Sequence, residues 1–139
     1  MKWLAIDYGK KRTGLAETDD LRLVASPLAT VETARLWPFL ENYLQQNRVE
    51  KIIVGEPFRE DGTHNPLEAD IRGFIRRFRK RFPGIEVVRE DERYTSKMAF
   101  DTLLAGGAGR KKRRDKSMLD KISAAIILQS YMERVQGNE

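Results

Sequence analysis

The sequence predicts an α/β fold, a mixed five-stranded sheet with helices on both faces in three layers. Three features predict it. Short apolar runs bounded by turn residues recur along the chain, as at Trp3 to Ile6 and Lys51 to Val54, and read as buried strands. Segments with apolar residues at i, i+3, i+4 and i+7 alternate with the later runs, which gives the order β-β-β-α-β-α-β-α-α. The stretch Ile122 to Leu128 is apolar nearly all round, so the last helix needs burial on more than one side.

The elements follow in order. Trp3 to Ile6 is the first strand and ends at Asp7-Tyr8-Gly9. Thr13 to Glu17 is the second. Leu21 to Ala25 is expected as the third, completing an antiparallel meander with Asp19 and Asp20 at its tight turn. Ser26, Pro27 and Thr30 to Thr33 are expected to lead into a helix whose buried face is Leu36, Phe39, Leu40, Tyr43 and Leu44. Pro38 is tolerated there only in or near the first turn. Lys51 to Val54, ending at Gly55, reads as a strand covered on both faces. Asn65 is expected to cap a helix over 66–82, with Pro66 as its first residue and Glu68 as the partner in a capping box. Ile85 to Val88 is the fifth strand, running into Glu90-Asp91-Glu92-Arg93. A helix is expected over about 95–105, and a last one from Ser117 to roughly Val135. Short apolar strands joined through helices imply that the fourth and fifth strands run parallel to the first, with right-handed crossovers.

Composition narrows the class. With 139 residues, 40% hydrophobic and 34% charged, the chain is expected to be one globular domain, burying roughly two-thirds of its unfolded surface. The net charge of +5 favours polyanionic partners. The absence of cysteine excludes disulfide and thiolate chemistry and suits a reducing cytoplasm. No apolar run approaches the ~20 residues that span a bilayer, and the N-terminus has no signal-peptide pattern.

The chemistry is expected at one sheet edge. In open α/β sheets, ligands bind beyond the carboxyl ends of the parallel strands. Asp7 ends the first strand, Glu56 follows the fourth, and Asp91 and Glu92 end the fifth. Parallel neighbours lie about 4.8 Å apart, so these ends share an edge. Side chains alternate along a strand, so Asp91 and Glu92 face opposite ways if the strand continues through them. Asp120, in the first turn of the last helix, can cross the same edge. Carboxylates converging on one point raise one another's pKa unless cations intervene. An all-oxygen site suits Mg²⁺ or Mn²⁺, and two such ions about 4 Å apart would activate a water and stabilise a leaving oxygen in phosphodiester cleavage. Each acid also has an ordinary reading. Asp120 sits three residues after Ser117, as helix capping alone would place it. Asp91-Glu92-Arg93 reads equally as a surface ion pair, and Glu56 as a solvated loop acid.

The chain resembles the YqgF/RuvX family. The residues that carry the resemblance are Asp7-Tyr8-Gly9 with Lys11-Arg12 and Gly14, then Val54-Gly55 and Pro57 with Asp61-Gly62-Thr63. Asp91-Glu92-Arg93 with Thr95-Ser96 follows, and then Asp120 with Ala124 to Leu128, Ser130 and Tyr131. The resemblance implies a ribonuclease H-like fold and a nuclease of structured nucleic acid, in a family named for Holliday-junction resolution and linked to 5′-end processing of precursor 16S ribosomal RNA. It implies Asp7, Glu92 and Asp120 as the metal-binding catalytic acids. This chain departs at Glu56, where the family often has an apolar residue. Junction-resolving relatives of the fold place a carboxylate at a similar point, so Glu56 is a candidate fourth ligand and competes with Glu92 to complete the site.

The cations are read beside this site. Lys11 and Arg12 flank Asp7, Arg93 follows Glu92, and Arg110, Lys111, Lys112, Arg113, Arg114 and Lys116 precede Asp120. A run of this kind is ordinarily a solvated loop, but here it is placed to hold phosphates. Gly106 to Gly109 lacks the spacing of a phosphate loop and reads as a helix stop. The arginines of helix 66–82 read as solvated surface before nucleic-acid contacts. His64 is assigned no catalytic role, and Trp3 and Trp37 read as core or rim. The expected function is therefore metal-dependent cleavage of RNA, with the precursor 16S 5′ end favoured by the family link. Cleavage of branched DNA, which would need a dimer, and a ribosome assembly factor with little catalysis are the competitors. The expected partner is nucleic acid, RNA ahead of DNA, with no membrane, and the protein a monomer or weak homodimer.

Overall fold

The computed structural model describes residues 1–92 and 116–136, apart from the side chains of 116–119. Strands β1 (Lys2–Asp7), β2 (Arg12–Thr18) and β3 (Ala25–Glu32) are followed by a 3₁₀ turn and helix α1 (Leu36–Gln46). Strand β4 (Val49–Glu56), helix α2 (Glu68–Arg81), strand β5 (Glu86–Asp91) and helix α3 (Lys116–Gln136) complete the described elements. The five strands form one sheet in the order β3-β2-β1-β4-β5. β1 pairs antiparallel with β2 and parallel with β4, and β4 pairs parallel with β5. The mixed sheet and its strand directions are those expected from the sequence.

Alternation along β1 creates two cores. Leu4 and Ile6 point to one face, where Leu15, Ile52 and Val54 meet Leu36, Leu40 and Tyr43 of α1 and Ile71, Phe74, Ile75 and Phe78 of α2. Trp3 and Ala5 point to the other, where Ala16 and Ile53 meet Ala124, Ala125, Ile127, Leu128, Tyr131 and Met132 of α3. Full burial of each large aliphatic side chain contributes about 1.5–3 kcal/mol. Alanines from both the sheet and α3 meet in this second core, so the helix can approach the strands closely. Trp3 is in the core, its ring edge-to-face with Tyr131 at a centroid separation of 5.4 Å. Trp37 is on the rim, against Phe74. No described helix is long and apolar enough to cross a membrane.

The third strand differs from expectation. It starts at Ala25 and runs to Glu32, whereas Leu21 to Val24 form the connection. Asp19 Oδ1 accepts hydrogen bonds from the backbone N–H groups of Leu23 and Val24 at 2.7 and 2.9 Å, so a side-chain-organised turn replaces strand pairing. Leu21 and Leu23 are left 74% and 70% exposed. Pro27 is accommodated because β3 is an edge strand with an irregularity opposite Leu15 and Ala16, where a missing donor is tolerated.

Helix α1 carries Pro38 in its first turn, as expected. Helix α2 starts at Glu68, with Leu67 in the N-cap position, rather than at Pro66 with Asn65 as its cap; Asn65 Oδ1 instead accepts from the Leu67 N–H at 3.0 Å in the turn before it. Glu68 does not close a capping box; it turns inward, 3% exposed, onto Arg89 and Arg72. The helix expected at 95–105 lies outside the described residues.

Candidate active site

Asp7 ends β1 on the α3 side of the sheet, in register with Trp3 and Ala5. Its antiparallel partner is Gly14 of β2. On the other side, one step beyond the Ile6–Val54 pair, is Gly55 of β4. The acid is thus flanked by two residues without side chains, and each space is filled by another part of the chain. A Cβ on Gly14 would stand 2.0 Å from the Asp120 carbonyl oxygen, so the first described turn of α3 lies directly on β2. A Cβ on Gly55 would stand 2.8 Å from Glu92 Oε1 and 2.9 Å from Ile127 Cδ1. The Glu92 carboxyl therefore occupies the space above β4.

The acids interact. Burial, then the charge of Glu92 and a hydrogen bond with its carboxyl, then the charge of Asp120, push the Asp7 carboxyl up to about 8. Burial raises Glu92 as well. A hydrogen bond between two carboxyl groups needs a proton, so at neutral pH the pair holds one that isolated acids would have released. Asp120 is oriented by Arg12, whose Nε donates to Oδ2 at 2.8 Å. Asp7, Glu92 and Asp120 offer hard oxygen donors only, of the kind that suits Mg²⁺ or Mn²⁺.

Glu56 is not brought to this group. Val54 faces the α1 and α2 core while Gly55 faces α3, so alternation turns Glu56 away from Asp7. Its Oε2 lies 2.9 Å from His64 Nε2. Asp91, its partner across β4 and β5, lies one residue out of phase with Glu92. Glu56, His64 and Glu68 have ligand atoms within 4.8 Å of one another. The Arg89 fork already holds Glu68 at 2.9 and 2.7 Å and Arg72 binds it at 2.9 Å. Arg89 is the main cause that keeps the Glu68 carboxyl below its ordinary range. With two guanidinium groups balancing the charge, this cluster reads as a clamp between the loop after β4, α2 and β5.

Lys11 and Arg12 are exposed beside Asp7. The turn that presents them is fixed by Thr33, whose N–H donates to the Lys11 carbonyl at 2.9 Å and whose hydroxyl donates to the Gly9 carbonyl at 2.7 Å. Arg93, Arg110, Lys111, Lys112, Arg113 and Arg114 lie outside the described residues. Lys116 opens α3 in the backbone, and its side chain lies outside the description.

Sequence reasoning missed the part played by two glycines and one acid. Gly14 and Gly55 make the room for Asp120 and Glu92, and a glycine inside a strand is the signal for such an approach. Glu90, 2% exposed, accepts from Ser130 Oγ at 3.1 Å and from Arg134 Nη2 at 2.5 Å, which ties β5 to α3. Nothing in the run Arg89 to Arg93 distinguishes it.

Comparison with known proteins gives the family. Residues 1–134 match the family model described as RuvX, Holliday junction resolvase. A protein of Christiangramia forsetii is 50% identical over 129 residues, covering 93% of this chain and 96% of its own. One of Chlorobium phaeobacteroides is 47% identical over 135 residues, covering 97% and 93%. Both carry the name "Putative pre-16S rRNA nuclease". Among solved structures, the fowlpox virus Holliday junction resolvase superposes with a TM-score of 0.57 at 18% identity, covering 96% of this chain and 99% of that one. This likeness is one of fold.

Proposed function

This chain belongs to the RuvX family, and from that membership we propose a metal-dependent phosphodiesterase that cuts structured nucleic acid, with the 5′ end of precursor 16S rRNA as its substrate. The observation that carries the reading is geometric: Glu92 packs over Gly55, and the first described turn of α3, with Asp120, packs over Gly14, the two glycines that flank Asp7 in the sheet. Asp7, Glu92 and Asp120 are the ligands of Mg²⁺ or Mn²⁺ in this reading, and Glu56 stands outside the set. Bound there, two such ions would supply an activated water and charge stabilisation at the leaving oxygen. The chain's own contribution is to hold three carboxylates without side chains between them and to exclude water with the apolar core beneath. Lys11 and Arg12 bind the phosphates next to the one that is cut, and the cations of 110–116 extend that grip. RNA is favoured by the name of the relatives, and the work belongs in the cytoplasm.

The family description favours one second reading, cleavage of junction DNA. It requires two copies presenting their sites with two-fold symmetry. Labelled precursor RNA and four-way junction DNA, each incubated with the protein in Mg²⁺, Mn²⁺ or EDTA, separate the two. The expected result is metal-dependent cutting of the RNA that Asp7→Asn, Glu92→Gln and Asp120→Asn abolish and Glu56→Gln retains. Cutting that survives Asp7→Asn rejects the site. Binding of RNA without cutting by the unaltered protein rejects the enzyme and leaves an assembly factor.

A further inference from the structure

On the face of the sheet away from Asp7, a hollow of about 250 Å³ is lined by Arg72, Ile75, Arg76 and Arg79 of α2 and Arg89 of β5. Four guanidinium groups meet there, and Glu68 is the carboxylate that answers them, bound by Arg72 and Arg89. Arg76 and Arg79 form no ion pair or hydrogen bond among the described residues, and both are exposed. Two other arginines of this helix are engaged elsewhere: Arg77 lies over the Trp37 ring, and Arg81 pairs with Glu41. Placing Arg72, Arg76 and Arg79 at i, i+4 and i+7 sets like charges beside one another, an arrangement that destabilises a helix. An anion seated in the hollow would offset that repulsion.

We propose that this hollow is a second phosphate-binding site, which takes the sugar-phosphate backbone of the nucleic acid at a distance from the cut. Arginine suits the task because its planar fork grips phosphate oxygens in pairs. The position is also right for a continuous strand. Arg89 Nη2 donates to the Gly55 carbonyl at 2.9 Å, and Gly55 on its opposite face makes room for Glu92. The hollow and the acid group thus stand back to back across one residue. β5 is the edge of the described sheet, so a backbone leaving the acids can pass round that edge to Arg76 and Arg79. This inference rests on the nucleic-acid reading above.

The test is binding of the precursor RNA in EDTA, where no cleavage occurs, followed across salt concentration. Arg76→Ala/Arg79→Ala places a strong helix former at two exposed positions, so α2 is retained. The expected result is binding about ten-fold weaker at 0.1 M salt, with a slope of log K against log salt shallower by about 2. Arg76→Lys/Arg79→Lys is expected to restore the slope. Unchanged affinity and slope in the alanine variant, with the unaltered protein binding well, would overturn the second site and leave the first reading intact. A slope as shallow in the lysine variant as in the alanine variant would overturn it too, because two cations restored at these positions should release the same counterions. No RNA binding by the unaltered protein would remove both readings together.

Discussion

The Glu92 carboxyl rests on Gly55: a Cβ at that glycine would lie 2.8 Å from Glu92 Oε1. The space on the α3 side of β4 is therefore part of the acid group, although Gly55 has no chemistry of its own. Gly55→Ala is expected to displace Glu92 and press on Ile127, with a loss of about 1–3 kcal/mol in stability, as for other overpacked sites. Divalent-ion affinity, read by calorimetry, should fall at least ten-fold. A variant that melts lower and binds the ion unchanged would show that Glu92 is not held through this contact.

The proton shared by Asp7 and Glu92 has a consequence for pH dependence. Asp7 is raised from 3.8 to about 8 in the folded protein, so the native state binds more protons than the unfolded chain between those values. Its contribution to stability is full below pH 3.8 and is lost as pH rises through about 8. In EDTA, the unaltered protein should lose stability relative to Asp7→Asn as pH rises from 3.8 to about 8. Saturating Mg²⁺ should cancel that loss, because the ion takes the place of the proton. Chemical denaturation across this range, with and without the metal, measures both.

Arg12 lies where a metal would compete with it. Its pair with Asp120 spans 2.8 Å, with the two side chains 43% and 28% exposed, so its contribution to stability is at most about 1 kcal/mol. Arg12→Ala is expected to leave the melting temperature nearly unchanged. Removing a cation from Asp120 should tighten Mg²⁺ binding a few-fold, while RNA affinity falls and its salt slope becomes shallower by about 1. Calorimetry and filter binding read the two opposed effects.

Gly73 offers a stabilising change away from the site. It lies inside α2, and a Cβ there would meet only Arg76 Nη2 at 3.8 Å, an ordinary contact. Glycine within a helix costs roughly 0.5–1 kcal/mol relative to alanine. Gly73→Ala should therefore raise stability by about that amount in a urea titration and leave cleavage untouched.

Strand parity explains how much of this was legible beforehand. The positions of Asp7, Glu56, Asp91 and Glu92 near strand ends follow from short apolar runs and turn residues, and alternation separates Asp91 from Glu92. Assigning a face to Glu56 needs the register of β4 against β1, which a period of two cannot supply until a neighbouring residue is fixed. The entry into β3 was hidden because Asp19 satisfies the backbone that apolar Leu21 to Val24 would have offered to a strand. The strand itself, Ala25–Glu32, lacks clean alternation and contains a proline. Glu90 was invisible because its partners, Ser130 and Arg134, are brought to it only by the docking of α3.

The link between Arg12 and Asp120 crosses 108 positions of the chain, and this bears on when the protein becomes active. Synthesis delivers Asp7 and Arg12 early, and Asp120 only with the helix that closes the second core. An unfinished copy lacks one member of the group proposed above to hold the metal, so its topology would keep it from cutting before that helix is made.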